Sequence, residues 1–169
     1  MLYIGVDIGG MSVKAGLVDE KGKILLKDTV VTRASAPAEE IVADIAALVR
    51  SVAERGGAEL SSLGGIGVGS PGSVDDAEGV IRYSCNINFV KTPFVMLLSD
   101  MLGVKNVRIS NDANCAALGE TMFGAGRGAR NSVTVTLGTG VGTGIVADGR
   151  LLTGNRSAGA EGGHVIIKA

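Results

Sequence analysis

The sequence predicts an α/β protein: a mixed sheet that opens with an antiparallel β-meander and is flanked by helices. Three observations predict it. Residues 2–32 alternate apolar runs with tight polar or glycine turns, the pattern of strands joined by hairpins. Two stretches, behind Pro37 and behind Pro93, repeat apolar residues at helical spacing. From Asn131 onward β-branched runs return, again separated by glycine turns. With 46% apolar residues in 169, the chain has the material for one domain or two small lobes and is not a disordered polymer.

The elements follow in order. LYIGVDI is a strand, Gly9-Gly10 breaks it, and SVKAGLVD resumes it. Asp19-Glu20-Lys21-Gly22 turns the chain into a third strand, KILLKDTVVT. Pro37, followed by Glu39 and Glu40, opens a helix whose apolar face is Ile41, Ile45, Leu48, Val49 and Val52, and Gly56-Gly57 stops it. LGGIGVGS is a short buried strand that breaks at Ser70-Pro71-Gly72. Thr92-Pro93 starts a second helix with Phe94, Leu97, Leu98, Met101 and Leu102, ended by Gly103. NVRIS is a strand, and NDANCAALGETMFG begins a helix directly behind it. SVTVTL, GTGVGTG, IVADG and RLLTG read as short strands with glycine turns, Asp148-Gly149 being a two-residue hairpin signal. Residues 1–114 are expected to form a first lobe. Residues 115–169 begin a second that is short for a core of its own and is expected to be incomplete.

Composition excludes several classes. Sixteen Lys and Arg against 17 Asp and Glu leave a net charge of −1, which offers no electrostatic footprint for nucleic acid and no polybasic membrane anchor. No apolar run reaches the roughly 18 residues of a membrane-spanning helix. The opening MLYIGVDIGG has no basic start and places Asp7 in its apolar run, so it does not read as a signal peptide. Two cysteines, Cys85 and Cys115, make neither a disulfide framework nor a metal cluster; they read as small buried hydrophobes in a cytoplasmic protein. Glycine is the unusual component. There are 27, over twice the roughly 7% of an average protein, and they cluster where a backbone would approach a ligand.

GVDIGG has two readings. Bare backbone N–H groups can converge on an anion while Asp7 positions a hydrated Mg²⁺, or the segment is an ordinary hairpin. Lys14, on the next strand, is a positive charge for phosphates or a surface lysine. LGTGVGTG is harder to assign to packing, because four alternating glycines weaken a strand unless something needs the backbone close, and Thr139 and Thr143 add hydroxyls. Two such turns suggest a nucleotide held between two lobes. Walker A is absent. Gly67, Gly69 and Gly72 match a dinucleotide pattern, but Pro71 and Asp75-Asp76 follow where a helix should start. Asn111-Asp112 sits where a strand meets a helix, which suits either an N-cap or a general base at the carboxyl end of a strand. Glu161-Gly162-Gly163-His164 holds the single histidine and could present a carboxylate and an imidazole to hydroxyl groups, or be a surface loop. Ser70–Ser73 and Asn86–Phe89 are polar loops that line a cleft or simply turn.

Taken in order, GVDIGGMSVKAGLVD, GVGSPGSVD, NDANCAALGE, LGTGVGTGIV and EGGH resemble the ROK family of sugar kinases and repressors, above all its bacterial glucokinases. The resemblance runs from Tyr3 to His164. It implies an actin-like ATPase, ribonuclease-H-like fold with two lobes, and transfer of the γ-phosphoryl group of ATP to a hexose, most often the 6-hydroxyl of glucose. By the same resemblance Asp112 is the catalytic base, and Gly72, Asn111, Glu161 and His164 join it in binding sugar. Asp7, Gly9, Gly10, Ser12 and Lys14 serve the first phosphate and Mg²⁺ site, and Gly138, Thr139 and Gly140 the second. It further implies a homodimer or tetramer.

Two departures stand out. Met11 occupies a position where the family usually carries Thr or Ser. The family's cysteine-rich zinc motif follows its histidine, whereas this sequence ends at Ala169, so His164 is one zinc ligand without its partners. The chain is therefore expected to be the amino-terminal part of a longer kinase, and inactive or nearly so alone. The competing expectations are a sugar-responsive regulator of the same family, a non-catalytic sugar sensor, and a kinase for N-acetylmannosamine, mannose, fructose or allose.

Overall fold

The computed structural model describes residues 1–138, 140–157 and 159–166. They divide into one unit of Met1–Ser110 and a second from Asn111 onward.

In the first unit, β1 (Leu2–Ile8), β2 (Ser12–Asp19) and β3 (Ile24–Val31) form the antiparallel meander. Helix α1 (Ala38–Arg55) begins directly behind Pro37, with Glu39 and Glu40 in its first turn and Arg55 in its last, each charge opposing the nearer end of the helix dipole. Strand β4 (Gly65–Ser70) runs parallel to β1. Three short strands, β5 (Ser73–Asp75), β6 (Val80–Tyr83) and β7 (Val90–Thr92), make a small antiparallel sheet. Helix α2 (Phe94–Leu102) ends at Gly103, whose φ of 69° is the left-handed cap that stops it. Strand β8 (Val107–Asn111) completes a five-stranded sheet of order β3-β2-β1-β4-β8.

The core lies on one face of that sheet. Ile4, Val6 and Ile8 alternate along β1 and meet Ile41, Ile45, Val49 and Val52 along α1, so period two packs against period 3.6. The opposite face of β1 carries Tyr3, Gly5 and Asp7, all exposed.

In the second unit, α3 (Asp112–Phe123) packs against β9 (Ser132–Leu137) and β10 (Val141–Ala147), with β11 (Arg150–Leu151) beyond. Asp148 and Gly149, with φ of 50° and 75°, make the expected hairpin turn. Short 3₁₀ turns follow at Asn155–Ser157 and Gly162–His164. The division expected after Asn114 would fall inside α3; the units part at Ser110 because the helix packs on the strands that follow it.

Three findings differ from the sequence reading. The segment 73–92 holds strands as well as polar loops, but strands of three or four residues are too short for a periodic signal. Both Cys85 and Cys115 are exposed rather than buried, one in a loop and one on the outer side of α3. In GTGVGTG, the demand for close backbone comes partly from packing. Gly142 and Gly144 lie inside β10, where a Cβ would stand 2.9 Å from Ala113 Cβ and 2.5 Å from Ala117 Cβ respectively. No described helix is long and apolar enough to cross a membrane.

Candidate active site

The sequence-predicted phosphate residues of the first unit share one hairpin. Ile8 pairs with Val13, leaving Gly9, Gly10 and Met11 between β1 and β2, and the Gly9 amide donates to the Ser12 carbonyl at 3.0 Å. A Cβ on Gly9 would stand 2.9 Å from that carbonyl, so the turn closes this tightly only with glycine there. Asp7 faces Lys14 across the strands, with Nζ and Oδ2 3.1 Å apart and both side chains more than half exposed. Met11 is 82% exposed and brings no hydroxyl to the turn.

Two elements fix this turn from outside. Thr32, at the end of β3, donates its hydroxyl to the Gly9 carbonyl at 2.6 Å, and its amide donates to the Met11 carbonyl at 3.0 Å. Asn86 Cβ lies 3.6 Å from where a Cβ on Gly10 would sit. The loop that carries Asn86 is anchored by buried Ile87 and Phe89, the latter edge-on to Phe94 at 5.9 Å. Thr32 is a residue the sequence reading missed; a threonine closing a valine-rich strand is its only local signal.

Gly72 turns the chain after β4 with φ of 91°, and a side chain there would strike the Tyr83 carbonyl. Three residues on, buried Asp75 accepts from the Glu78 amide at 3.1 Å and pairs with Arg82, which together hold its carboxyl below the usual aspartate range. That ion pair fixes the β5–β6 hairpin behind the Gly72 turn.

The second unit brings its own group together. Asn111 Oδ1 accepts the Ala113 and Asn114 amides at 3.0 and 3.2 Å, so this side chain is the N-cap of α3. Asp112, first in the helix, accepts the Ala113 amide at 2.8 Å and lies where the helix dipole favours a negative charge. Ala113 faces Gly142 and Ala117 faces Gly144, so α3 and β10 start at the same end. The turn between β9 and β10 is at that end too. Its Gly138 amide donates to the Gly140 carbonyl at 2.9 Å, and both glycines open onto empty space. Thr139 lies outside the described residues.

Glu161–His164 reaches the same end of β10. A side chain on Gly163 would strike the Val141 carbonyl, and one on Gly162 would stand 2.8 Å from Thr143. The Thr143 hydroxyl donates to the Ala160 carbonyl and accepts the Gly162 amide at 2.8 Å. His164 Nε2 stands 3.7 Å from Glu161 Oε2, both side chains well exposed. Asn111, Asp112, Gly138, Gly140, Glu161 and His164 thus gather at one end of one unit, while Asp7, Gly9, Gly10, Ser12, Lys14 and Gly72 belong to the other.

The donor sets separate two metals. Mg²⁺ keeps several waters and takes one or two protein carboxylates alongside substrate phosphates, which a single exposed Asp7 beside a bare turn fits. Structural zinc takes four N or S ligands, and no group of three His, Cys, Asp or Glu able to hold a metal exists among the described residues. Of the zinc ligands that the resemblance implies, the described residues hold His164 alone.

The chain is similar to known proteins along nearly its whole length. Glucokinase from Thermotoga maritima is 43% identical over 166 residues, 98% of this chain and 50% of that protein. A ROK family glucokinase from Streptomyces griseus, solved with glucose and AMPPNP, superposes with a TM-score of 0.89 at 39% identity, covering 99% of this chain and 51% of the other. ROK hexokinase from Thermus thermophilus superposes at 0.85 with 34% identity, covering 99% and 54%. The fold is that of the actin-like ATPases to which these kinases belong. The chain spans about half the length of the curated relatives it matches. The ROK family model matches residues 3–169, and the chain belongs to the ROK family.

Proposed function

We propose that this chain carries the proton acceptor, both phosphate turns and a sugar-binding segment of an ATP-dependent hexose kinase that converts glucose to glucose 6-phosphate. The observation that carries the reading is the meeting of Asp112, the open glycines Gly138 and Gly140 and Glu161–His164 at one end of a single unit.

Phosphoryl transfer asks a protein for positioning and charge stabilisation more than for covalent chemistry. The sugar hydroxyl oxygen forms a bond to the γ-phosphorus as the bond to the β-bridging oxygen breaks and ADP leaves. Asp112 accepts the hydroxyl proton as this happens. Asn111, Glu161 and His164 bind neighbouring hydroxyls, and an epimer that leaves one of these groups unpaired is rejected. Amides of each glycine turn other than those of Gly9 and Gly138, which bond within the turns, meet phosphate oxygens, as does the Lys14 ammonium. Asp7 would hold the hydration shell of an ATP-bound Mg²⁺, which would neutralise part of the triphosphate charge.

The test is a panel of hexoses with the full-length protein and its Asp112→Asn variant, following ADP release and sugar binding. The variant is expected to bind glucose normally and to lose about 10²–10⁴-fold in kcat. An unchanged rate removes Asp112 from its role. A full-length protein that phosphorylates no hexose overturns the kinase reading.

A further inference from the structure

We infer that Thr143 is a positioning residue that sets the sugar-binding carboxylate, and so links the strand behind the second phosphate turn to sugar affinity. The inference rests on the kinase reading for its consequence, but its geometry stands independently. Glu161 has a neighbour on each side, and one hydroxyl holds both: Thr143 Oγ1 donates to the Ala160 carbonyl and accepts the Gly162 amide at 2.8 Å. A hydroxyl has one proton to give, so donating to one neighbour and accepting from the other fixes its orientation. The backbone at Glu161 is thereby clipped to β10 three residues after Gly140.

Two further observations point the same way. Ala160 has φ of 64°, a left-handed conformation that a residue with a Cβ keeps only where its surroundings enforce it. Gly162 and Gly163 lie so close to β10 that any side chain would meet Thr143 or the Val141 carbonyl. The segment is seated on the strand by bare backbone, and the Thr143 hydroxyl is the side-chain group that fastens it. Losing that hydroxyl frees the Glu161 carboxylate to swing by the ångström that separates a bound sugar from a misaligned one.

The experiment compares wild type, Thr143→Val and Thr143→Ser in the full-length kinase. Steady-state kinetics are run with glucose varied at saturating ATP and with ATP varied at saturating glucose. Thr143→Val is expected to raise the KM for glucose about tenfold while changing the KM for ATP less than about twofold. Thr143→Ser, which keeps the hydroxyl, is expected to restore it. An unchanged glucose KM, an equal rise in both constants, or failure of serine to rescue would overturn the inference. Amide exchange of Gly162, whose N–H also donates to the Ala160 carbonyl at 2.9 Å, gives a readout that needs no turnover: faster exchange in the valine variant than in wild type and recovery in serine are expected. A wild type with no kinase activity would sink the function proposed above, and unchanged exchange at Gly162 would separately sink this one.

Discussion

Ala117 occupies the space that a side chain on Gly144 would need. A Cβ on the glycine would stand 2.5 Å from the alanine's Cβ and 2.5 Å from the Ala113 carbonyl. The helix that starts with Asp112 therefore lies directly on the strand behind the second glycine turn, and its closeness is set by these glycines.

The two kinds of glycine in this turn should separate experimentally. Gly144→Ala forces α3 away from β10 and is expected to cost about 1–3 kcal/mol, read by denaturant unfolding. Gly140→Ala meets open space and is expected to change stability by less than about 0.5 kcal/mol. On the proposed function it should nevertheless weaken ATP binding by the full-length protein, because a methyl group would stand on the proposed phosphate turn. Equal stability losses for the two variants would contradict this division.

Thr32 pins the first turn by its hydroxyl on the Gly9 carbonyl. Thr32→Val keeps the shape and removes the bond, at a cost of about 1 kcal/mol in stability. The KM for ATP is expected to rise several-fold with the KM for glucose nearly constant, and Thr32→Ser to reverse both effects. A valine variant with normal ATP kinetics would show that the turn holds its shape without this contact.

Asp75 gives a pH dependence with a defined sign. The Glu78 amide first, and then the Arg82 side chain, hold its carboxyl below the ordinary value of 3.8. A group depressed in the folded state contributes its full stability above the unfolded value and loses it as the pH falls through the folded one. Acid unfolding below pH 3.8 should therefore be shallower in Asp75→Asn, which has no carboxyl to titrate, than in wild type. Parallel acid limbs for the two proteins would rule Asp75 out as a contributor.

Much of the framework was legible because its signals are local. Pro37 and Gly56-Gly57 bound α1, Gly103 ends α2, and the strand–Gly-Gly–strand pattern gives the first turn within one hairpin. Thr32 has no reading in the sequence and Thr143 reads only as a hydroxyl of the second glycine turn, because their bonds cross 23 residues to Gly9 and 19 to Gly162, and no local pattern marks a hydroxyl for a distant carbonyl or amide. The glycines of LGTGVGTG look alike in sequence, yet Gly138 and Gly140 open a turn while Gly142 and Gly144 admit a helix. Only the partner distinguishes them. The exposure of Cys115 was hidden for a related reason: NDANCAALGE is rich in small residues and has no sharp apolar stripe to show which side of α3 faces the sheet.

The far face of the second unit's sheet carries the last prediction. Strand β9 turns Val133, Val135 and Leu137 away from α3, at 64%, 54% and 81% exposure, and Val141, opposite Leu137, is 53% exposed. Among the described residues β9 is also an edge of its sheet, so an apolar face adjoins unpaired backbone groups. Contiguous apolar surface of this kind, bordered by an open edge, favours association. The 169-residue chain is expected to bind an environment-sensitive hydrophobic dye and to self-associate as its concentration rises. Val135→Lys places a charge in the middle of the face, where an exposed position tolerates it within about 0.5 kcal/mol. Dye fluorescence and sedimentation should both fall towards those of a monomer in this variant, with the melting curve unchanged. Association that persists at the wild-type level would locate its cause elsewhere on the molecule.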